Sequence, residues 1–389
     1  MNADYVAKFP GVRNGWARFD GPAGTQMVDV AIDAMVDWCA GGNNANSHGE
    51  FPQAHACDAL LESARNTVGQ FLNADPIGVM FGANMTTLTM AFSRAVSHSL
   101  PAGKRFVGTF LDHDANVNPW RLAAQDSGGE HVQASFDGWT GRLDPQRVID
   151  LITENTAWVS VTGASNLVGS QTDLAPIIDA AHQRGARVFV DAVALAPHKR
   201  IDIESLGCDA LATSPYKWYG PHAGVLWVKP ELRDSLVRYR VRPAEASGPS
   251  SMETGTAAYE AIAATQAAAN FLMGYGMDQL AIDESAVFAP LLEGLLANDR
   301  VRVVGPPTTA ERVPTVAFVI DGIHADEVAR HLAGDKIAVW SGSSYAIGIT
   351  EKLGLDAVGG VVRAGIVSYI THDDVERLVA SVNALTKAG

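Results

Sequence analysis

Cysteine is scarce in this chain, with three residues (Cys39, Cys57, Cys208) among 389. Odd in number and widely spaced, they supply neither a disulfide framework nor metal-ligand spacing, so no metal is expected and a reducing cytoplasm is the expected home. Basic residues are also in deficit: 29 Lys and Arg face 43 Asp and Glu, for a net charge of −14. General nucleic-acid binding, which needs a basic face, is excluded on that balance. Apolar runs of about 18 residues are missing, and Met1-Asn2-Ala3-Asp4 has neither a basic n-region nor an apolar core. No membrane span and no signal segment are therefore expected. What remains is a chain with 47% hydrophobic and 19% charged residues, long enough for a large core and more than one domain.

Patterning supplies the fold class. Helical periodicity covers residues 55–72 and 86–98, and 76–81 ends in a short strand-like run. From 105 onward strands (105–110, 132–136, 157–162, 186–190, 210–213, 224–228) alternate with helical stretches (120–126, 145–153, 174–183). That alternation predicts an α/β fold with a mostly parallel sheet covered by helices on both faces. An alanine-rich helix fits 257–275. Beyond about 280 the pattern changes to strands at 315–320, 338–341 and 361–366 and helices at 326–332 and 373–385, a separate small α/β layer.

Two strand ends carry the chemistry. Val188-Phe189-Val190 runs into Asp191, and Ala210-Leu211-Ala212-Thr213 runs into Ser214-Pro215-Tyr216-Lys217. Ligands of open α/β sheets sit at the carboxyl ends of strands. A carboxylate and an amine delivered there suit a cofactor with one ring nitrogen to keep protonated and one aldehyde to trap, namely pyridoxal phosphate (PLP). Burial lowers a lysine pKa, and the neutral amine is the species that condenses with an aldehyde. Taken alone, Lys217 reads as a surface lysine after a strand and Asp191 as a helix cap; together, with Trp218, Tyr219 and Gly220-Pro221 around the lysine, they point to the cofactor.

Six fragments in order carry a resemblance: Asp112-His113-Asp114-Ala115-Asn116-Val117-Asn118-Pro119-Trp120, Gly163-Ala164-Ser165-Asn166, Val190-Asp191-Ala192, Ser214-Pro215-Tyr216-Lys217, Glu253-Thr254-Gly255-Thr256 and Val362-Arg363-Ala364-Gly365. Spanning about residues 20–381, they resemble the class V aminotransferase family of PLP enzymes of fold type I, nearest its cysteine desulfurase and selenocysteine lyase branch. The resemblance implies a large PLP-binding domain (20–280) with a seven-stranded-type sheet and a small C-terminal domain (281–389), joined by an N-terminal arm (1–19). It also implies a homodimer with shared active sites and an α-amino-acid substrate. By the same resemblance, Lys217 and His113 are the catalytic pair, with His113 over the face of the PLP ring. Met85 and Thr86 at a helix start, Ser214 and Tyr216 would hold the phosphate, and Thr256 would reach the phosphate of the neighbouring subunit. Asp191 would face the ring nitrogen, Asn166 would lie near ring and substrate carboxylate, and Arg363 would clamp that carboxylate.

The departures from the family pattern bear on the reaction. Desulfurases place a nucleophilic cysteine on a small-domain loop. Here that loop reads Val339-Trp340-Ser341-Gly342-Ser343-Ser344-Tyr345, with Tyr345 in the cysteine's place. Persulfide chemistry needs a thiolate, so ordinary cysteine desulfuration is not expected. Ala194 replaces a glutamine that bonds the PLP phenolic oxygen, and Tyr216 replaces a histidine; a phenol still donates to phosphate. The leading expectation is a β-eliminating C–S (or C–Se) lyase acting on a cysteine conjugate. Transamination and epimerisation, with Tyr345 or His113 as second acid/base, remain alternatives, as does a non-catalytic PLP-fold protein. The loop 343–345 either faces a polar substrate or is solvated. A dehydrogenase would need Gly-x-Gly-x-x-Gly after an early strand, and none stands there.

Overall fold

The structure, a computed structural model, describes residues 3–12 and 14–388. Met1, Asn2, Arg13 and Gly389, which the expected arm and small domain include, lie outside the described residues. Strand β1 (Ala17–Arg18) falls within the stretch expected to form the N-terminal arm. Strands β2 (Val79–Gly82), β3 (Arg105–Thr109), β4 (Glu130–Ala134), β5 (Thr156–Thr162), β6 (Arg187–Asp191), β7 (Ala210–Thr213) and β8 (Gly224–Val228) form one sheet in the order β2-β8-β7-β6-β5-β3-β4. From β7 to β4 all neighbours are parallel, and β8 alone runs antiparallel to both of its neighbours. The expected α/β class with a mostly parallel seven-stranded sheet is the observed one.

A second sheet orders four strands as β12-β13-β10-β9, all antiparallel, from β9 (Val301–Val304), β10 (Thr315–Ile320), β12 (Trp340–Gly342) and β13 (Val361–Gly365). Strand β11 (Ile337–Ala338) pairs instead with β1, in parallel. Between the two sheets the helix Met277–Leu296 runs without a break across residue 280.

Burial explains why the central strands read as near-continuous apolar runs. All seven residues of β5 are buried, as expected for a parallel strand covered on both faces. On one face Phe92, Phe106, Trp120, Trp158 and Phe189 form an aromatic layer, with Trp120 and Trp158 stacked at 5.3 Å. The helices Met85–Ser99 and Asn118–Asp126 supply Phe92 and Trp120 to it. The opposite face holds the larger core, built from residues such as Val159, Val188, Leu211 and Ile178. Among the described residues no helix is long and apolar enough to cross a membrane.

Several expected boundaries move, each for a local reason. The run 338–341 is not one strand: it breaks at Val339 because its two halves pair with different partners, β1 and β13. The strand expected at 132–136 is β4, two residues earlier, set by its register against β3. The helix expected over 145–153 is only Pro145–Ile149. Strand β9 and the helices Asp29–Ala40, Met277–Leu296 and Ile347–Leu353 were not anticipated.

Strand β8 also sets the start of the helix Met85–Ser99. A Cβ at Gly224 would meet the Asn84 carbonyl carbon at 2.4 Å, and Asn84 caps that helix by accepting the Thr87 N–H at 2.8 Å. Gly224→Ala therefore overpacks a rigid contact, and chemical denaturation should register a loss of about 1–3 kcal/mol. Wild-type stability in that variant would mean that the cap yields freely.

Candidate active site at the carboxyl ends of the central strands

Strands β6 and β7 end side by side, with Asp191 paired to Ala212 in register. After β7, Ser214 leads into a single 3-10 turn, Pro215–Lys217, closed by the Lys217 N–H donating to the Ser214 carbonyl at 2.9 Å. Proline at the first position presets the helical φ. Lys217 is half-buried, its amine 5.3 Å from the centre of the Tyr216 ring and donating to the Pro22 carbonyl. Burial, then the positive charge of Arg363, lower its pKa to about 7, against an opposing pull from Asp191. Asp191 is 4% exposed, accepts the Val193 N–H at 2.9 Å and is pushed up to about 6 by burial.

Beyond β3 the chain turns through Asp112 and His113. The His113 Nδ1 accepts the Ala115 N–H at 3.0 Å, so the neutral ring carries its proton on Nε2. Burial, helped by the charges of Lys217 and Arg363, lowers its pKa to about 4, and the ring is uncharged at neutral pH. Asp112, the residue before His113, is buried and hydrogen-bonded by Thr109 and by Asn116 Nδ2 at 2.7 Å. Burial above all, with the charge of Asp191 adding, pushes Asp112 up to about 8. The hydrogen bonds that Asp112 accepts from Thr109 and Asn116 anchor the turn that carries His113.

Arg363, on β13 of the small sheet, is 4% exposed and reaches across to donate from Nη1 to the Asn166 carbonyl at 2.9 Å. Asn166 Nδ2 donates to the Ser344 carbonyl at 2.8 Å, and the Asp114 N–H donates to the Tyr345 carbonyl at 2.8 Å. Those two bonds press the loop onto the site and hold Ser344 and Tyr345 at φ of 48° and 61°, a conformation side chains with a Cβ avoid. The Tyr345 ring stacks on His113 at 5.3 Å and 27°, yet is 71% exposed. Ser214 Oγ accepts the Met85 N–H at 3.4 Å, which brings the Lys217 turn to the start of the helix Met85–Ser99, where Thr86 stands exposed. Tyr216 hydrogen-bonds Ser214 and stacks on His222 at 5.4 Å.

Of the residues anticipated from sequence, Lys217, Asp191, His113, Asn166, Arg363, Ser214, Tyr216, Met85 and Tyr345 are thus joined by contacts or mutual charge. Thr256 is different: it is exposed on the loop after Glu253. Glu253 anchors that loop by pairing with Arg65 at 2.6 Å and accepting the Phe81 N–H at 2.8 Å. Ala194, half-buried, offers no polar group. Sequence reasoning missed Asp112, Asn84, Pro22 and the backbone of Tyr219, although Asn84 before Met85-Thr86-Thr87 is a recognisable helix cap.

The donor set fits PLP. Lys217 and Arg363 bring two basic groups into one buried site, where an anionic ligand is favoured. Arg363 Nε and Asn166 Oδ1 are buried without a hydrogen-bond partner, as groups waiting for a ligand would be. The helix start nearby favours a phosphate.

Comparison with known proteins agrees. The sequence model described as Aminotransferase class-V matches residues 18–378. An uncharacterised protein of Mycobacterium tuberculosis is 30% identical, with 97% of each chain covered. A probable cysteine desulfurase of Pseudomonas aeruginosa is also 30% identical, covering 98% of this chain and 96% of that one. The crystal structure of a cysteine desulfurase from Escherichia coli superposes with a TM-score of 0.90 at 25% identity, covering 100% of this chain and 99% of that one. The chain belongs to the class V aminotransferase family, whose members are PLP-dependent enzymes of fold type I.

Proposed function

We propose that this enzyme cleaves the Cβ–S (or Cβ–Se) bond of a cysteine conjugate by β-elimination, without a thiol nucleophile. The observation that carries this reading is the loop around Tyr345, which lays a phenol against His113 where the desulfurase pattern calls for a thiol. The three thiols are poorly suited to replace it. Cys208 lies at the far end of β7 from Lys217 and is pushed up to about 12 by burial, Cys57 is buried, and Cys39 is exposed on the helix Asp29–Ala40.

In this reading Met85, Thr86, Ser214 and Tyr216 hold the cofactor phosphate and Asp191 faces the ring nitrogen. Bound there, PLP delocalises the negative charge that develops at the substrate Cα. Arg363 and Asn166 fix the substrate carboxylate, the guanidinium fork supplying orientation as well as charge. The Lys217 amine, its pKa lowered by burial and by the charge of Arg363, takes the Cα proton. The electron pair of that C–H bond becomes the Cα–Cβ double bond as the Cβ–S bond breaks and the thiolate leaves. The released 2-aminoacrylate reacts with water to give pyruvate and ammonia, so one conjugate and one water yield thiol, pyruvate and ammonia. The neutral His113, its proton on Nε2, is placed to pass that proton toward the departing sulfur. We further infer a cytoplasmic homodimer in which the exposed Thr256 reaches the neighbouring subunit's phosphate site.

Incubation with a panel of S-substituted cysteines tests this. Thiol and pyruvate should appear in equal amounts without any keto acid added. Release of alanine and sulfur from free cysteine would instead establish desulfuration. Dependence on a keto-acid acceptor would establish transamination, and Cα deuterium exchange without product an epimerase; any of the three overturns the proposal.

A further inference from the structure

The geometry points to Tyr219 as a positioning residue that sets the separation of Lys217 and Arg363, an inference resting on the roles proposed above for those two side chains. Tyr219 stands two residues after Lys217 with φ of 68°, a left-handed conformation rarely adopted outside glycine. Its backbone is held on both sides by the segment 25–28. The Tyr219 N–H donates to Thr25 Oγ1 at 2.9 Å, and the Val28 N–H donates to the Tyr219 carbonyl at 3.0 Å. Thr25 also donates from N and Oγ1 to the Tyr216 carbonyl, at 2.8 and 3.0 Å. The Lys217 turn is thereby pinned at the residue before the amine-bearing one and again two residues after it.

The hydroxyl reaches the segment that follows the last residue of β13. It lies 2.6 Å from Ser368 Oγ and accepts the Ser368 N–H at 3.0 Å. It donates to Glu284 Oε1 at 3.3 Å, and Glu284 Oε2 is 2.7 Å from His198 Nδ1. Tyr219, Ser368 and Glu284 are each at most 1% exposed. Ser368 follows Gly365, the last residue of β13, and β13 carries Arg363. One hydrogen-bonded hydroxyl therefore joins the lysine turn of the large sheet to the segment that leads out of the arginine strand of the small one.

Packing alone does not require that hydroxyl. The ring sits in an aromatic cage, with Phe9 at 5.0 Å and Tyr369 at 6.5 Å between centroids, which phenylalanine would fill equally well. A buried hydroxyl with three polar neighbours is costly to leave unmade and therefore specific in geometry. Its selective value lies in fixing where the small sheet docks on the lysine turn.

The test uses the PLP-loaded enzyme and α-methyl-S-methylcysteine, a carboxylate-bearing probe without a Cα proton. Tyr219→Phe should leave PLP affinity and the visible absorbance of the bound cofactor unchanged while weakening the probe about tenfold, the size of one buried hydrogen bond. Amide exchange over 366–370 should accelerate in the same variant. Ser368→Ala should weaken the probe too, and the double variant should lose less than the product of the singles. Unchanged probe affinity in Tyr219→Phe, or PLP and probe affinities falling in parallel, overturns the inference. Should Tyr219→Phe fail to fold, Ser368→Ala decides by the same split. Arg363→Lys separates the two levels: if it leaves the probe's affinity intact, the proposed carboxylate clamp is wrong. If it weakens the probe while Tyr219→Phe does not, only the positioning role falls.

Discussion

Lys217→Ala should abolish covalent capture of PLP and lower turnover by at least about 10³-fold, since one side chain serves as both the anchoring amine and the base. Borohydride reduction followed by mass spectrometry of the peptide around Pro215–Lys217 reads the first effect directly. The wild-type peptide gains the reduced cofactor, whereas the variant peptide keeps its unmodified mass. The same amine predicts a pH dependence. Burial and Arg363 bring its pKa down to about 7, so the neutral, reactive fraction grows as pH rises through that value and is nearly complete about 1.5 units above it. The rate of PLP capture by the apo-protein should rise across that window and then level off. A rate that climbs steadily toward the ordinary lysine range would place the amine in bulk water. A modified peptide in the alanine variant would assign the anchor to another residue.

Asp191→Asn should lower turnover about 10²- to 10³-fold, in the range seen when one preorganised electrostatic group is removed. The substitution keeps the size of the side chain and an oxygen for the Val193 N–H, so the fold is left in place and the charge alone is lost. A second effect separates this from simple damage. The charge of Asp191 raises the Lys217 pKa against the depression by burial and Arg363. Without it, the midpoint of the capture profile should move below 7. Lost turnover with an unshifted midpoint would mean that Asp191 does not sense the amine. Full turnover would remove it from the machinery altogether.

How legible this was in the sequence depends on which forces set each feature. Strands β7, β8 and β10 have the bounds expected, because apolar runs bracketed by turn residues define them locally. Asp191 and Lys217 were legible for the same reason: each stands at or just beyond the carboxyl end of such a run. Lys217 and Arg363 lie far apart in the chain, and only the resemblance to a known family linked them. What was hidden is tertiary. Nothing in Ile337 to Gly342 signals that two residues pair with the arm and three with the small sheet. Asp112 is pushed up by burial and the nearby charge of Asp191, against the hydrogen bonds it accepts from Thr109 and Asn116, and that enclosure is not written in the residues around it. The left-handed backbone at Tyr219, Ser344 and Tyr345 contradicts local preference. Long-range hydrogen bonds impose it, and no window of sequence contains them.

The division of the chain at Val339 has a practical consequence for handling the protein. Because Ala17–Arg18 pairs with Ile337–Ala338, and the next strand along borders β13 through Trp340 opposite Arg363, a load applied near the amino end reaches the arginine strand through two strand pairings linked at Val339. Affinity tags or trimming ahead of Ala17 should therefore perturb amino-acid recognition. Appendages beyond the closing helix His372–Ala388 avoid that route, and purification handles belong there.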